Sequence, residues 1–155
     1  MSNVTIFVYG TLKSGLTNNY LITTNGGKSL GLGKLVRPDY VLTTGYSFPY
    51  AVSITPGQAC FLQSKGVVTT IHGELFSIND CILADLDRLE RYPNYYNRSI
   101  VAVEMDWSDY NCGQPIESWM YHRNDKLNDK DSVCFDGYWW PNTRVMPISQ
   151  VTDKV

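Results

Sequence analysis

The segment from Ile82 to Glu90 carries an acid where a helix should be apolar. With Ile82 at zero and about 100° per residue, Leu86 falls at about 40°, Leu83 at about 100° and Leu89 at about 340°. Arg91 at about 180° and Arg88 at about 240° mark the wet face, while Glu90 falls at about 80°, between Leu86 and Leu83. An ionised carboxylate loses hydration on burial that only a partner can restore. Three fates are open to this one. The last turn frays and the side chain reaches solvent, or an ion pair holds it. Otherwise it lies in a partly apolar pocket, its pKa pushed upward toward a value useful for proton transfer. Asp85 and Asp87 flank the stripe and are expected to be solvated or to support the helix.

A second constellation lies near the start of the chain. Residues 3–9 form an apolar run, with Val4, Ile6 and Val8 on one side and Thr5, Phe7 and Tyr9 on the other. Both faces read as buried, as in a central strand. The run ends in Gly10-Thr11-Leu12-Lys13-Ser14-Gly15, a turn with free backbone N–H groups that can cup a carboxylate or phosphate oxygen. A purely structural strand-to-loop junction would have the same composition, so both readings stand at this point.

Other chemistries lose their motifs on inspection. Gly27-Lys28-Ser29 would end a phosphate-binding loop, but the position that loop reserves for its first glycine is Ile22. His72-Gly73-Glu74 opens like a zinc-deaminase signature, yet no P-C-x-x-C follows. His72 and His122 are the two histidines, which excludes a histidine-rich metal site. Cys60, Cys81, Cys112 and Cys134 are scattered without a C-x-x-C and read as reduced thiols of a cytoplasmic protein. A net charge of −2 and no Lys/Arg stripe argue against nucleic acid. No apolar run approaches the ~20 residues needed to span a bilayer, and Met1 to Thr5 do not read as a leader.

The elements that must position these residues form an α+β pattern. Hydrophobic residues make up 43% and charged residues 18% of the 155, enough to bury a core. One domain is expected over residues 1–155, with a divergent segment from about residue 123. Thr17 or Asn18 is placed to cap a short helical stretch at Tyr20, Leu21 and Ile22. Strands are expected around residues 40–42, 51–54, 67–70, 71–78 (with a break at Gly73), 99–106 and 116–122. The helix over residues 79–91 is capped by Ser77 or Asn79 and stopped by Pro93. Many short strands and one strong helix point to a curved or barrel-like sheet with the helix against one side.

Taken together, these residues resemble the γ-glutamyl cyclotransferase-like (AIG2-like) family. Val8-Tyr9-Gly10-Thr11-Leu12-Lys13-Ser14-Gly15, followed by Asn18 or Asn19, is similar to its opening motif. Phe48-Pro49-Tyr50-Ala51, Gly73-Glu74-Leu75-Phe76 and Leu86-Asp87-Arg88-Leu89-Glu90 with Pro93 and Tyr95-Tyr96-Asn97-Arg98 resemble later motifs in the same order. The resemblance implies a small mixed β-barrel with flanking helices. It implies that Tyr9, Gly10, Thr11 and Leu12 hold a γ-glutamyl group through backbone amides, with Pro49, Tyr50 and Tyr96 contributing to the substrate site. Glu90 matches the family's catalytic acid/base, and no metal or cofactor is called for. The branch most similar acts on γ-glutamyl amines, releasing an amine and 5-oxoproline. Arg91 departs from the pattern, since many relatives carry glycine or a small residue there.

Two other functions are consistent with these residues. The pocket of a non-catalytic binding module would hold a carboxylate-bearing small molecule or peptide unchanged. An interaction protein would dock through the aromatic tail of Phe135, Tyr138, Trp139 and Trp140. That tail either covers the pocket or caps the core, and core is the expectation. A monomer acting on a small molecule is expected.

Overall fold

The computed structural model describes residues 3–44, 48–106, 114–128, 130–141 and 145–147. In chain order the elements are β1 (Val4–Val8), α1 (Tyr20–Thr23), β2 (Lys28–Leu35), β3 (Tyr40–Thr44), β4 (Pro49–Ser53), α2 (Pro56–Ser64), β5 (His72–Ile78), α3 (Asp80–Leu89), β6 (Tyr96–Met105), β7 (Ile116–Arg123), β8 (Ser132–Cys134) and β9 (Val145–Pro147).

Five strands close into a barrel in the order β1-β5-β2-β6-β7. The β1–β7 pair that closes it is parallel, and the other pairs are antiparallel, so the barrel is mixed. A second sheet of four strands runs β4-β3-β8-β9. Barrel closure leaves β1 with a neighbour on each side and apolar groups on both faces. Ile6 and Val8 pack with Phe76, Ile82 and Leu86, while Phe7 and Tyr9 pack with Leu42, Leu75, Met120 and Trp139. The two-sided burial read from its sequence is therefore the environment of a central strand.

Gly73 does not break β5. Its missing Cβ would lie 2.3 Å from the Val8 carbonyl oxygen and 2.9 Å from the Phe7 ring, so glycine there lets β5 lie against β1. Residues 67–70 form no strand, although Val67 is buried in the core. Helix α2 has no counterpart in the sequence reading. Its signal was present: Thr55 caps the helix, Pro56 opens it, and Gln58 completes the capping box.

Helix α3 is seated as its periodicity requires. The Asn79 side chain accepts the Ile82 N–H at 2.9 Å, and Ile82 and Leu86 are fully buried. Leu89 is 41% exposed, contrary to expectation. The buried stripe is centred between Ile82, Leu83 and Leu86, which leaves Leu89 on its flank. Pro93 is not what ends the helix. The Tyr92 N–H bonds the Asp87 carbonyl at 2.9 Å and the Arg91 N–H bonds the Arg88 carbonyl at 3.3 Å. With Arg91 left-handed at φ 54°, this is a Schellman ending, and Glu90 is its C-cap.

Candidate active site

Glu90 leaves α3 where the helix turns away, so its side chain is carried to the barrel rather than along the helix surface. A cavity of about 50 Å³ opens there. Tyr9, Gly10, Thr11, Leu12, Pro49, Glu90 and Tyr96 line it, as do Phe7, Val8, Phe48 and Tyr121, which the sequence reading did not place there. Tyr121 follows the alternation of β7, a pattern that gives facing but not destination. Tyr50 stands one layer back, its ring 6.3 Å from that of Tyr96 and 5.7 Å from that of Phe48.

The loop after β1 is fixed through its carbonyls. Gly10 C=O accepts from the Lys13 N–H at 3.0 Å, and Thr11 C=O from the Asn18 N–H at 2.9 Å. Leu12 C=O accepts from the Asn19 side-chain amide at 2.8 Å, and Asn18 donates to the Thr11 hydroxyl at 2.9 Å. Neither Thr17 nor Asn18 caps α1, whose N-cap position is Asn19. In a trans peptide the N–H points opposite to the carbonyl of the same plane. The Thr11 and Leu12 N–H groups therefore face away from these contacts. Among the described residues no acceptor meets the N–H of Gly10, Thr11 or Leu12. Successive unpaired amides on a cavity wall form an anion cup. Gly10 is required by close approach, because a Cβ there would lie 2.9 Å from Pro49 Cγ.

Glu90 is half-buried and, among the described residues, its carboxylate makes no hydrogen bond or ion pair. Burial pushes its pKa from 4.5 up to about 7. Of the three fates open to it, no ion pair is made among the described residues, and the side chain is half-buried in the cavity wall rather than free in solvent. Burial also raises the pKa values of Tyr9, Tyr96 and Tyr121, and the Glu90 charge adds to each rise. The three phenols stay protonated around the carboxylate. The Tyr96 hydroxyl makes no hydrogen bond among the described residues, and Tyr96 lines the cavity, which leaves that hydroxyl available as a donor. Tyr9 is committed to the frame: its hydroxyl donates to the Tyr121 carbonyl at 2.8 Å and accepts the Ala51 N–H at 3.0 Å.

Unpaired amides and a carboxyl group with a pKa raised to about 7 on one cavity are the kinds of group that anion binding and proton transfer use. The family profile described as "Gamma-glutamyl cyclotransferase, AIG2-like" matches residues 6–141. The chain belongs to this family. The gamma-glutamylcyclotransferase family protein ytfP of Citrobacter rodentium is 31% identical over 128 residues, covering 81% of this chain and 96% of the relative. Gamma-glutamylaminecyclotransferase C of Danio rerio is 26% identical over 127 residues, covering 79% and 77%. The fold matches the crystal structure of an AIG2-like protein from Mus musculus with a TM-score of 0.71 at 22% identity, covering 90% of each chain. The expectation of a mixed barrel with flanking helices is thus met.

No residue of the aromatic tail lines this cavity. Trp139 is buried in the core, as expected, while Tyr138 and Trp140 line a second cavity of about 310 Å³ with Lys13, Ser14 and Glu74. Cys60, Cys81 and Cys134 are free, and Cys112 lies outside the described residues. Among the described residues no helix is long and apolar enough to cross a membrane.

Proposed function

We propose that this protein is a γ-glutamylamine cyclotransferase of the cytoplasm, which cleaves a γ-glutamyl amide to 5-oxoproline and a free amine. The observation that carries this reading is the Glu90 carboxyl, raised to about 7, sharing one cavity with the unpaired amides of Gly10, Thr11 and Leu12. The amides and the Tyr96 hydroxyl receive the oxygens of the γ-glutamyl group. Glu90 takes a proton from the substrate's α-amine. The amine nitrogen attacks the γ-carbonyl carbon, a C–N bond forms and the five-membered lactam closes. The bond to the departing nitrogen then breaks, and Glu90 returns the proton to that nitrogen. The nucleophile belongs to the substrate, so folding it within the cavity supplies much of the advantage of an intramolecular reaction. Free thiols at Cys60, Cys81 and Cys134 suit a reducing compartment.

Relatives with both gamma-glutamylcyclotransferase and gamma-glutamylaminecyclotransferase names are similar to this chain, so the leaving group is the quantity to measure. Wild type and Glu90→Gln are given γ-glutamyl amines, γ-glutamyl dipeptides and glutathione, and 5-oxoproline is quantified by mass spectrometry. Release from γ-glutamyl amines that collapses in Glu90→Gln is the expected result. A folded wild type that binds members of the panel and converts none is instead a binding module.

A further inference from the structure

The Gly73-Glu74-Leu75-Phe76 motif contains a buried acid that the reaction above does not use. Glu74 is 6% exposed. Its Oε1 accepts the Ser14 backbone N–H at 2.8 Å, and its Oε2 accepts the hydroxyls of Ser14 at 2.7 Å and Ser29 at 2.6 Å. Buried carboxylates are kept where such bonds satisfy them. The placement is specific. Glu74 on β5 is the register partner of Val8, the last residue of β1, and the candidate anion cup begins two residues later. Backbone pairing thus holds the start of the loop, and the side chain of that same residue holds Ser14 at its end. Between these points lie Gly10, Thr11 and Leu12, which line the cavity and whose N–H groups meet no acceptor among the described residues.

Lys13 reinforces the arrangement. Its amine donates to the Trp139 carbonyl and lies 4.4 Å from the centroid of the Trp140 ring. Burial lowers the Lys13 pKa to about 8, and the neighbouring Glu74 charge opposes that fall.

We propose that Glu74 is a positioning residue: by binding Ser14 it closes the loop after β1 and keeps the three amides aimed into the cavity with Glu90. It touches no substrate and acts through the loop. The kinetic arm of its test rests on the cyclotransferase reading; the dynamic arm does not.

The full-length chain is compared with Glu74→Ala and Glu74→Gln. 5-Oxoproline release from γ-glutamyl-ε-lysine and ¹⁵N relaxation of the Gly10, Thr11 and Leu12 amides are measured. In Glu74→Ala the KM is expected to rise about tenfold with kcat changed far less, because the amides hold ground and transition states alike. Order parameters at the three amides should fall from about 0.85 to below about 0.6. Glu74→Gln keeps an acceptor for the Ser14 N–H and should recover most of both. Folded Glu74→Ala with wild-type KM and wild-type amide order overturns the proposal, whatever its thermal midpoint. If Glu74→Ala does not fold, Ser29→Ala replaces it, with a smaller rise in KM and a smaller loss of order expected and no change in either overturning it. If the wild type converts no panel member, the relaxation data decide the proposal alone.

Discussion

Asp87 and Arg98 form a two-pronged ion pair, with Arg98 Nε at 2.9 Å from Oδ1 and Nη2 at 3.2 Å from Oδ2. The Tyr121 hydroxyl also donates to Oδ1, at 2.6 Å. Asp87 lies three residues before Glu90 on α3, Arg98 lies two residues after Tyr96 on β6, and Tyr121 lines the cavity. Rings of Tyr92 and Trp119 stand 4.5 and 4.4 Å from the guanidinium carbon. Asp87, expected from sequence to be solvated or to support the helix, ties the helix that ends at Glu90 to the barrel.

Removing one partner therefore strands the other. Asp87→Ala leaves Arg98 between aromatic rings without its anion, an expected loss of about 2–4 kcal/mol in urea unfolding. Turnover should fall as well, because Glu90 loses its tether to β6. An unchanged urea midpoint would show that the pair is solvent-screened and idle.

Glu90 makes stability depend on pH. Its folded pKa of about 7 lies above the ordinary 4.5. Below about 4.5 both states hold the proton and no penalty exists; between 4.5 and 7 the unfolded chain releases it first, and stability is lost as pH rises through the folded value. Glu90→Gln should be more stable than wild type at pH 8, by on the order of 1–3 kcal/mol, with the gap closing toward pH 4. Thermal unfolding at both pH values reads this, and a pH-independent offset would contradict it. The same group predicts an acid limb near pH 7 in kcat/KM for 5-oxoproline release, absent from any residual activity of Glu90→Gln.

Gly10 and Pro49 are in contact too close for a side chain. Gly10→Ala places a Cβ 2.9 Å from Pro49 Cγ. The loop must shift, and a loss of about 1–3 kcal/mol together with weaker kcat/KM is expected. Pro49→Ala in the same chain should restore part of both. Strictly additive effects in the double-mutant cycle would refute the contact.

Arg91 occupies the left-handed position that a Schellman ending favours for glycine. It is exposed and does not line the Glu90 cavity. Arg91→Gly should raise stability by about 0.5–1 kcal/mol and leave 5-oxoproline release unchanged. Equal or lower stability would mean that the charge at the helix C-terminus outweighs the backbone relief.

Local order in the chain was enough for several of these features. The Ile82, Leu83 and Leu86 spacing and the Asn79 cap specify α3, because periodicity and capping act over a few neighbouring residues. They also mark Glu90 as misplaced. The two-faced apolar run specifies β1, and Gly10-Thr11-Leu12 supplies amides without bulky competition. The capping box of Thr55 and Gln58, with Pro56 opening the helix, is an equally local signal for α2.

Tertiary structure decided the rest. A pKa depends on everything packed around a group, so no spacing along α3 could say whether Glu90 was solvated, paired or left alone in a cavity. Only the closed barrel brings Tyr121 of β7 beside Tyr9 and Asp87, residues separated by 112 and 34 positions. The role of Glu74 likewise arises because barrel pairing sets β5 against the end of β1. Residue order determined the chemistry available and the elements that bear it. The barrel's long-range pairing determined which of those groups meet, because hydrogen bonds and burial act through space and local sequence does not encode distant neighbours.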